Sequence, residues 1–138
     1  MTEISPLLSG ITRSMKHLAA RQQVISQNIA NSETRGFKAR ELEAPDFSSL
    51  VSEKGVPHVT RPRVSVTSGM VALGVAPSTD GRVFADPDTS ETKPDGNNVT
   101  LEDQLLKMGE VRTDFTTMTN LYRKQLGLLK RAVGVNAG

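Results

Sequence analysis

Residues able to do chemistry are few in this chain of 138 residues, and they stand far apart. Cysteine is absent, which removes disulfide scaffolds, zinc–thiolate sites, iron–sulfur clusters and thiol catalysis together. The two histidines, His17 and His58, have no histidine near them, so a histidine-rich metal site is not expected. His17 falls in a basic amphipathic segment, where an exposed or interfacial ring is the expected setting. Carboxylate pairs such as Glu41/Glu43 and Asp86/Asp88 could do acid–base work in a cleft. They lie in a stretch rich in proline and turn residues, which predicts solvated surface instead. No glycine-rich phosphate loop, nucleophile elbow or HExxH spacing occurs. The expectation is no enzyme: no catalytic residues, no metal and no cofactor.

The elements that would position these residues are two long helices. Ile4, Leu8, Ile11, Met15, Leu18, Ile25 and Ile29 recur at alternating four- and three-residue steps, with Gln22 in the one vacant slot. That average of about 3.5 is the spacing of a coiled-coil seam. Ser5 followed by Pro6 suits an N-cap and first helical residue, and Asn31 to Gly36 suits a stop, giving a helix over about residues 5–33. Leu101, Leu105, Met108, Phe115, Tyr122, Leu126, Leu129 and Val133 repeat the pattern, with Arg112 and Thr119 in the remaining slots. Thr100 with Asp103 predicts a capping-box-like start, and Gly109 and Gly127 read as tolerated defects costing about 1 kcal/mol each or, as the sharper alternative, as room for a close neighbour helix.

Residues 37–98 differ in kind. Six of the seven prolines fall there, which forbids a long helix. Arg63–Thr67 and Arg82–Phe84 read as short strands, with Asp80-Gly81 and Asp95-Gly96 as turns. The expected fold is mainly α. Two long terminal helices pair as a coiled-coil-like antiparallel hairpin around an irregular, short-β middle, with segments at 1–36, 37–98 and 99–138. One narrow seam is little burial for so much ordered helix, and this predicts a subunit packed by others.

Charge is segregated along the chain. Residues 1–40 carry six basic and two acidic side chains, residues 41–98 five and nine, and residues 99–138 six and four. Aromatics make up only 4%, too few for the stacking platforms of single-strand binders, so nucleic acid is not expected. The longest apolar stretch, Met70–Ala76, is far short of the ~20 residues of a membrane span. Arg13, Lys16 and Arg21 interrupt the apolar N-terminus, which therefore lacks the continuous core of a cleaved secretory signal.

One segment is more specific. Asn28-Ile29-Ala30-Asn31-Ser32-Glu33-Thr34-Arg35-Gly36-Phe37-Lys38 resembles the N-I-A-N-x-x-T-P-G-[FY]-K signature that closes the N-terminal helix of bacterial flagellar axial proteins. Arg35 stands where that family usually has Pro. Asn28 and Asn31 have the chemistry to bond free carbonyls at a helix end. Asp95-Gly96-Asn97-Asn98-Val99, followed by Leu101-Glu102, resembles the approach to the second helix in the proximal rod proteins of this family. Gln104 and Phe115 stand near places where those proteins commonly carry other polar residues and Tyr.

The resemblance implies a non-enzymatic subunit of the basal-body rod, which joins a drive shaft crossing the periplasm. Implied partners are other copies of itself, the rod proteins FlgC, FlgF and FlgG, the junction protein FliE at the MS ring, and the flagellar type III export apparatus in transit. Phe47 with Val51 resembles an element linked to early export substrates. The assembly seam is expected at Ile11, Met15, Leu18, Ile25, Leu105, Met108, Phe115, Tyr122, Leu126 and Leu129. Alternatives are a sibling rod subunit such as FlgC and a cytosolic coiled-coil adaptor or chaperone.

Overall fold

The computed structural model describes residues 6–45, 68–74 and 82–134. In chain order these form α1 (Pro6–Ala30), β1 (Arg40–Leu42), α2 (Ser68–Ala72), β2 (Val83–Ala85) and α3 (Leu101–Ala132). At ~1.5 Å per residue, α1 and α3 are about 37 and 48 Å long. Asn28 near the end of α1 meets Gln104 in the first turn of α3, and Arg21 meets Glu110 further along. The two helices therefore run antiparallel. A two-stranded antiparallel sheet, Arg40↔Ala85, Glu41↔Phe84 and Leu42↔Val83, packs against α1. The mainly helical hairpin with a small β middle is the architecture that the periodicity and the prolines predict.

Local sequence explains the boundaries. Pro6 opens α1, where its missing N–H costs nothing. Asn31 N–H bonds the Gln27 carbonyl and a turn then redirects the chain, with Gly36 at φ +71°. Ile4, Ser5 and the strand expected at residues 63–67 lie outside the described residues. Thr100 does occupy the N-cap of α3, but its side chain makes no capping bond. Asp103 accepts instead from the Ser90 backbone N–H (3.1 Å) and Ser90 Oγ (2.7 Å). The capping-box expectation fails because a tertiary partner takes the carboxylate.

The core is small and sits between the helices. Leu18, Ile25 and Val111 are buried together, with Ile29, Met108 and Met118 packed on them. On α1, Ile11, Leu18 and Ile25 face inward as the periodicity predicts, and Met15 is half-buried. On α3 the inward stripe differs from the expected one. Gln104 and Val111 are buried and Met118 packs on the core, whereas Leu105 is 56% exposed, Phe115 40% and Leu129 41%. Met108 and Tyr122 form a column with two flanks. On one flank Gln104 and Val111 are buried and Met118 packs on the core, while on the other Leu105 is exposed. The polar Gln104 disguises the true flank, and Leu105 advertises the other. Within the described residues nothing stands within 4 Å of a Cβ built at Gly109 or Gly127, so the close neighbour that these glycines would admit is not among them.

Candidate functional site

The two motifs, some sixty residues apart in sequence, interlock at the turn after α1. Asn97 is fully buried and its Nδ2 donates to the carbonyls of Asn31 (2.9 Å) and Thr34 (2.7 Å), while its Oδ1 accepts from the Val99 N–H (2.8 Å). Asp95 Oδ1 accepts from the Asn97 N–H (3.0 Å), which folds the second motif into the turn that presents Asn97. Gly36 N–H bonds the Asp95 carbonyl, and the Lys38 ammonium reaches the Gly96 carbonyl at 2.6 Å. Gly96 has φ +87°, a backbone conformation that side-chain-bearing residues rarely adopt, whereas a Cβ there would stand at an ordinary 3.6 Å contact from the Gly36 Cα, so it is the turn's backbone angle that calls for glycine. Asn98 Oδ1 accepts from the Ala39 N–H (2.6 Å). Lys93 donates to the Ser32 carbonyl (2.8 Å). Carbonyls of the turn that follows α1 are thus bonded from residues 93–97, while those of its last helical turn are met locally by the Asn31 and Ser32 N–H groups.

The two asparagines of the first motif do different work. Asn31 Nδ2 bonds the Gln27 carbonyl of its own helix at 2.8 Å, and its Oδ1 receives the Thr34 hydroxyl. Asn28, expected to bond the same helix end, turns outward from it. Its Nδ2 donates to the Arg40 carbonyl (2.8 Å) and to Gln104 Oε1 (2.9 Å), and its Oδ1 accepts from the Arg40 N–H (3.0 Å). One side chain therefore holds α1, β1 and α3 together. Phe37 is half-buried beneath the Arg40 guanidinium, 5.7 Å from its ring centre.

One turn along the helices lies an ion cluster. Arg21 binds Glu41 through two hydrogen bonds (3.0 and 3.1 Å) and lies 3.7 Å from Glu110. Lys107 pairs with Asp86 and sits 3.6 Å from Glu41. The side chains of Arg21, Glu41, Lys107 and Asp86 are all largely buried, so the solvated-surface expectation for Glu41 and Asp86 is wrong. Pairing of β1 with β2 places both carboxylates between the helices, where opposite charge is supplied. Burial by itself would raise the Glu41 carboxyl, but the Arg21 hydrogen bond, the Leu42 N–H and the charges of Arg21 and Lys107 together hold it below its usual value. The Arg21 guanidinium is raised mainly by its bond to Glu41. His17 donates from Nε2 to the Glu43 carbonyl (2.9 Å), and burial, with Arg21 nearby, lowers its imidazole. Ser90 likewise holds the Asp103 carboxyl low.

This arrangement fastens segments to one another. Among the described residues no buried side-chain nitrogen or oxygen lacks a partner, and no group of three His, Asp or Glu is placed to hold a metal ion. No helix among them is long and apolar enough to cross a membrane. Phe47 and Val51 lie outside the described residues. Gln104, Lys107, Lys93 and Arg21, which the sequence did not single out for these roles, carry much of the fastening.

Residues 12–38, which run through α1 into the interlocked turn, match a family described as flagella basal body rod protein. The chain is 32% identical over 119 residues to the flagellar basal body rod protein FlgB of Yersinia enterocolitica, covering 82% of this chain and 85% of that protein. It is 29% identical over 113 residues to the protein of the same name from Yersinia ruckeri, covering 80% and 76%. The likeness therefore extends well beyond one signature. With that extent of agreement, the chain belongs to the FlgB family of flagellar basal body rod proteins.

Proposed function

We propose that this chain is a non-enzymatic subunit of the proximal rod, polymerising with copies of itself and with FlgC, FlgF and FlgG into the shaft that transmits motor torque. FliE joins it to the MS ring in this reading. The observation that carries the proposal is an antiparallel helix pair clamped at one end by two interlocked motifs, with apolar residues on α3 left uncovered. A shaft subunit has to resist shear between its segments, and the shared bonds of Asn28, Asn97 and the ion cluster oppose such slippage. It also has to offer neighbours burial that it cannot supply alone, and Leu105, Phe115 and Leu129 retain that area.

Residues 1–36 and 99–138 then form the axial part, with Ile11, Met15, Leu18, Ile25, Met108, Tyr122 and Leu126 shared between the internal core and the assembly seam. Residues 37–98 form the segment that meets other rod proteins. The subunit reaches the periplasmic rod through the flagellar type III apparatus, with Phe47 and Val51 as its export element. Mass spectrometry of basal bodies purified from the motile host tests the assignment. The chain is expected in that fraction, and its confinement to cytoplasm would overturn the proposal.

A further inference from the structure

The two ends of α3 are opposite in charge and both expose apolar side chains. Residues 101–114 carry four acidic and two basic side chains, whereas residues 115–132 carry four basic and none acidic. At the first end a groove is lined by Phe84, Pro87, Asp88, Asp103, Leu106 and Glu110. Leu106 is 71% exposed and Phe84 41%, and Glu102 stands one turn before Leu106. The cationic residues that line this groove are already engaged, Lys107 by Asp86 and Arg21 by Glu41, so its rim is acidic. At the other end Leu128, Leu129 and Val133 are exposed beside Lys130 and Arg131.

We infer that the acidic groove around Leu106 and Phe84 receives the basic, apolar C-terminal end of α3 from a second copy of this chain. The complement comes from another copy because Leu106 and Leu129 are 23 residues apart on one rigid helix, about 35 Å. Groove against groove would set acid against acid, and tail against tail base against base, so the favourable pairing is groove to tail. A pair joined in this way keeps one unused groove on one copy and one unused tail on the other, so the contact propagates head to tail instead of closing. The inference rests on the rod reading and adds to it which surfaces meet between copies.

The chain has no cysteine, so single introduced thiols report the contact. Leu106→Cys and Leu129→Cys versions of the full chain, carrying different tags, are expressed together in the motile host, and purified basal bodies are oxidised. The expected product is the mixed disulfide dimer, one copy of each tagged version, in excess of both like-with-like dimers. It should be lost when the Leu129→Cys copy also carries Lys130→Glu and Arg131→Glu, and regained when the Leu106→Cys copy carries Asp88→Lys and Glu102→Lys. Basal bodies that contain both chains yet give no mixed dimer, or give like-with-like dimers as abundantly, overturn the contact and leave the rod reading standing. Mixed dimers that persist through charge reversal overturn the electrostatic basis. Absence of both chains from basal bodies overturns the rod reading, and this inference with it.

Discussion

Asn28 and Gln104, 76 positions apart, meet with Nδ2 2.9 Å from Oε1 while each residue is 1% exposed. Through the same amide Asn28 also pairs with the backbone of Arg40, so a single side chain spans the junction of α1, β1 and α3. Asn28→Ala leaves the Arg40 N–H and carbonyl and the Gln104 amide without this partner. Each buried polar group left unmade costs ~1–3 kcal/mol, so a loss of about 3 kcal/mol is expected in urea unfolding. Gln104→Ala should cost less, and the double variant should show a coupling of about 1 kcal/mol. Additive losses would mean that the two side chains act independently.

Asn97→Ala should uncouple the motifs. It removes the donor to the Asn31 and Thr34 carbonyls and the acceptor for Val99 N–H. A loss of about 2 kcal/mol or more is expected. Faster amide exchange at Val99, whose N–H donates to the Asn97 side chain in the native fold, should accompany it. Unchanged protection there would show that the interlock is not fastened by this side chain.

Acid should weaken the fold in two stages. His17 has its pKa lowered from 6.5, so the unfolded chain takes up its proton at higher pH than the native chain. Its contribution is complete above 6.5 and declines as pH falls below that value. Glu41 is held below its ordinary 4.5, so its contribution is complete above that value and is lost as pH falls through the lower native one. Denaturant midpoints measured from about pH 8 to about pH 4 should fall in that order, and His17→Gln should flatten the first stage. A midpoint that rises on mild acidification would contradict the assignment for His17.

Gly109→Ala should stabilise the free chain by up to about 1 kcal/mol, because a helical interior favours Ala and a Cβ there meets nothing within 4 Å. A thermal midpoint that drops instead would reveal an intrachain neighbour at that position.

Local features were legible in sequence because their causes are local. Four-three spacing marked both helices, Pro6 a start, and Gly36 and Gly96 the turns. Their role in joining the two motifs was not visible, since it depends on Asp95–Val99 returning to the end of α1. The face of α3 was misplaced for a related reason. Leu105 fits a seam by hydrophobicity, but Gln104 is the residue buried, its polarity matched by Asn28. Glu41 and Asp86 read as surface carboxylates because their counter-ions, Arg21 and Lys107, come from helices distant in sequence. Amphipathic period shows which residues avoid water, and it is silent about polar groups that find partners inside.

The central claim is that this chain is a rod component whose uncovered α3 face is needed for assembly. Its most direct test is electron microscopy of basal bodies from a host lacking the gene, complemented with the intact chain, Leu105→Asp or Ile11→Asp. Leu105 is exposed, so Leu105→Asp should leave the free chain's stability within ~0.5 kcal/mol, whereas Ile11→Asp places a charge in the core and should unfold it. The account predicts MS rings without rods in the deletion strain, rods restored by the intact chain, and none restored by a folded Leu105→Asp chain. Normal rods and filaments in the deletion strain would contradict it.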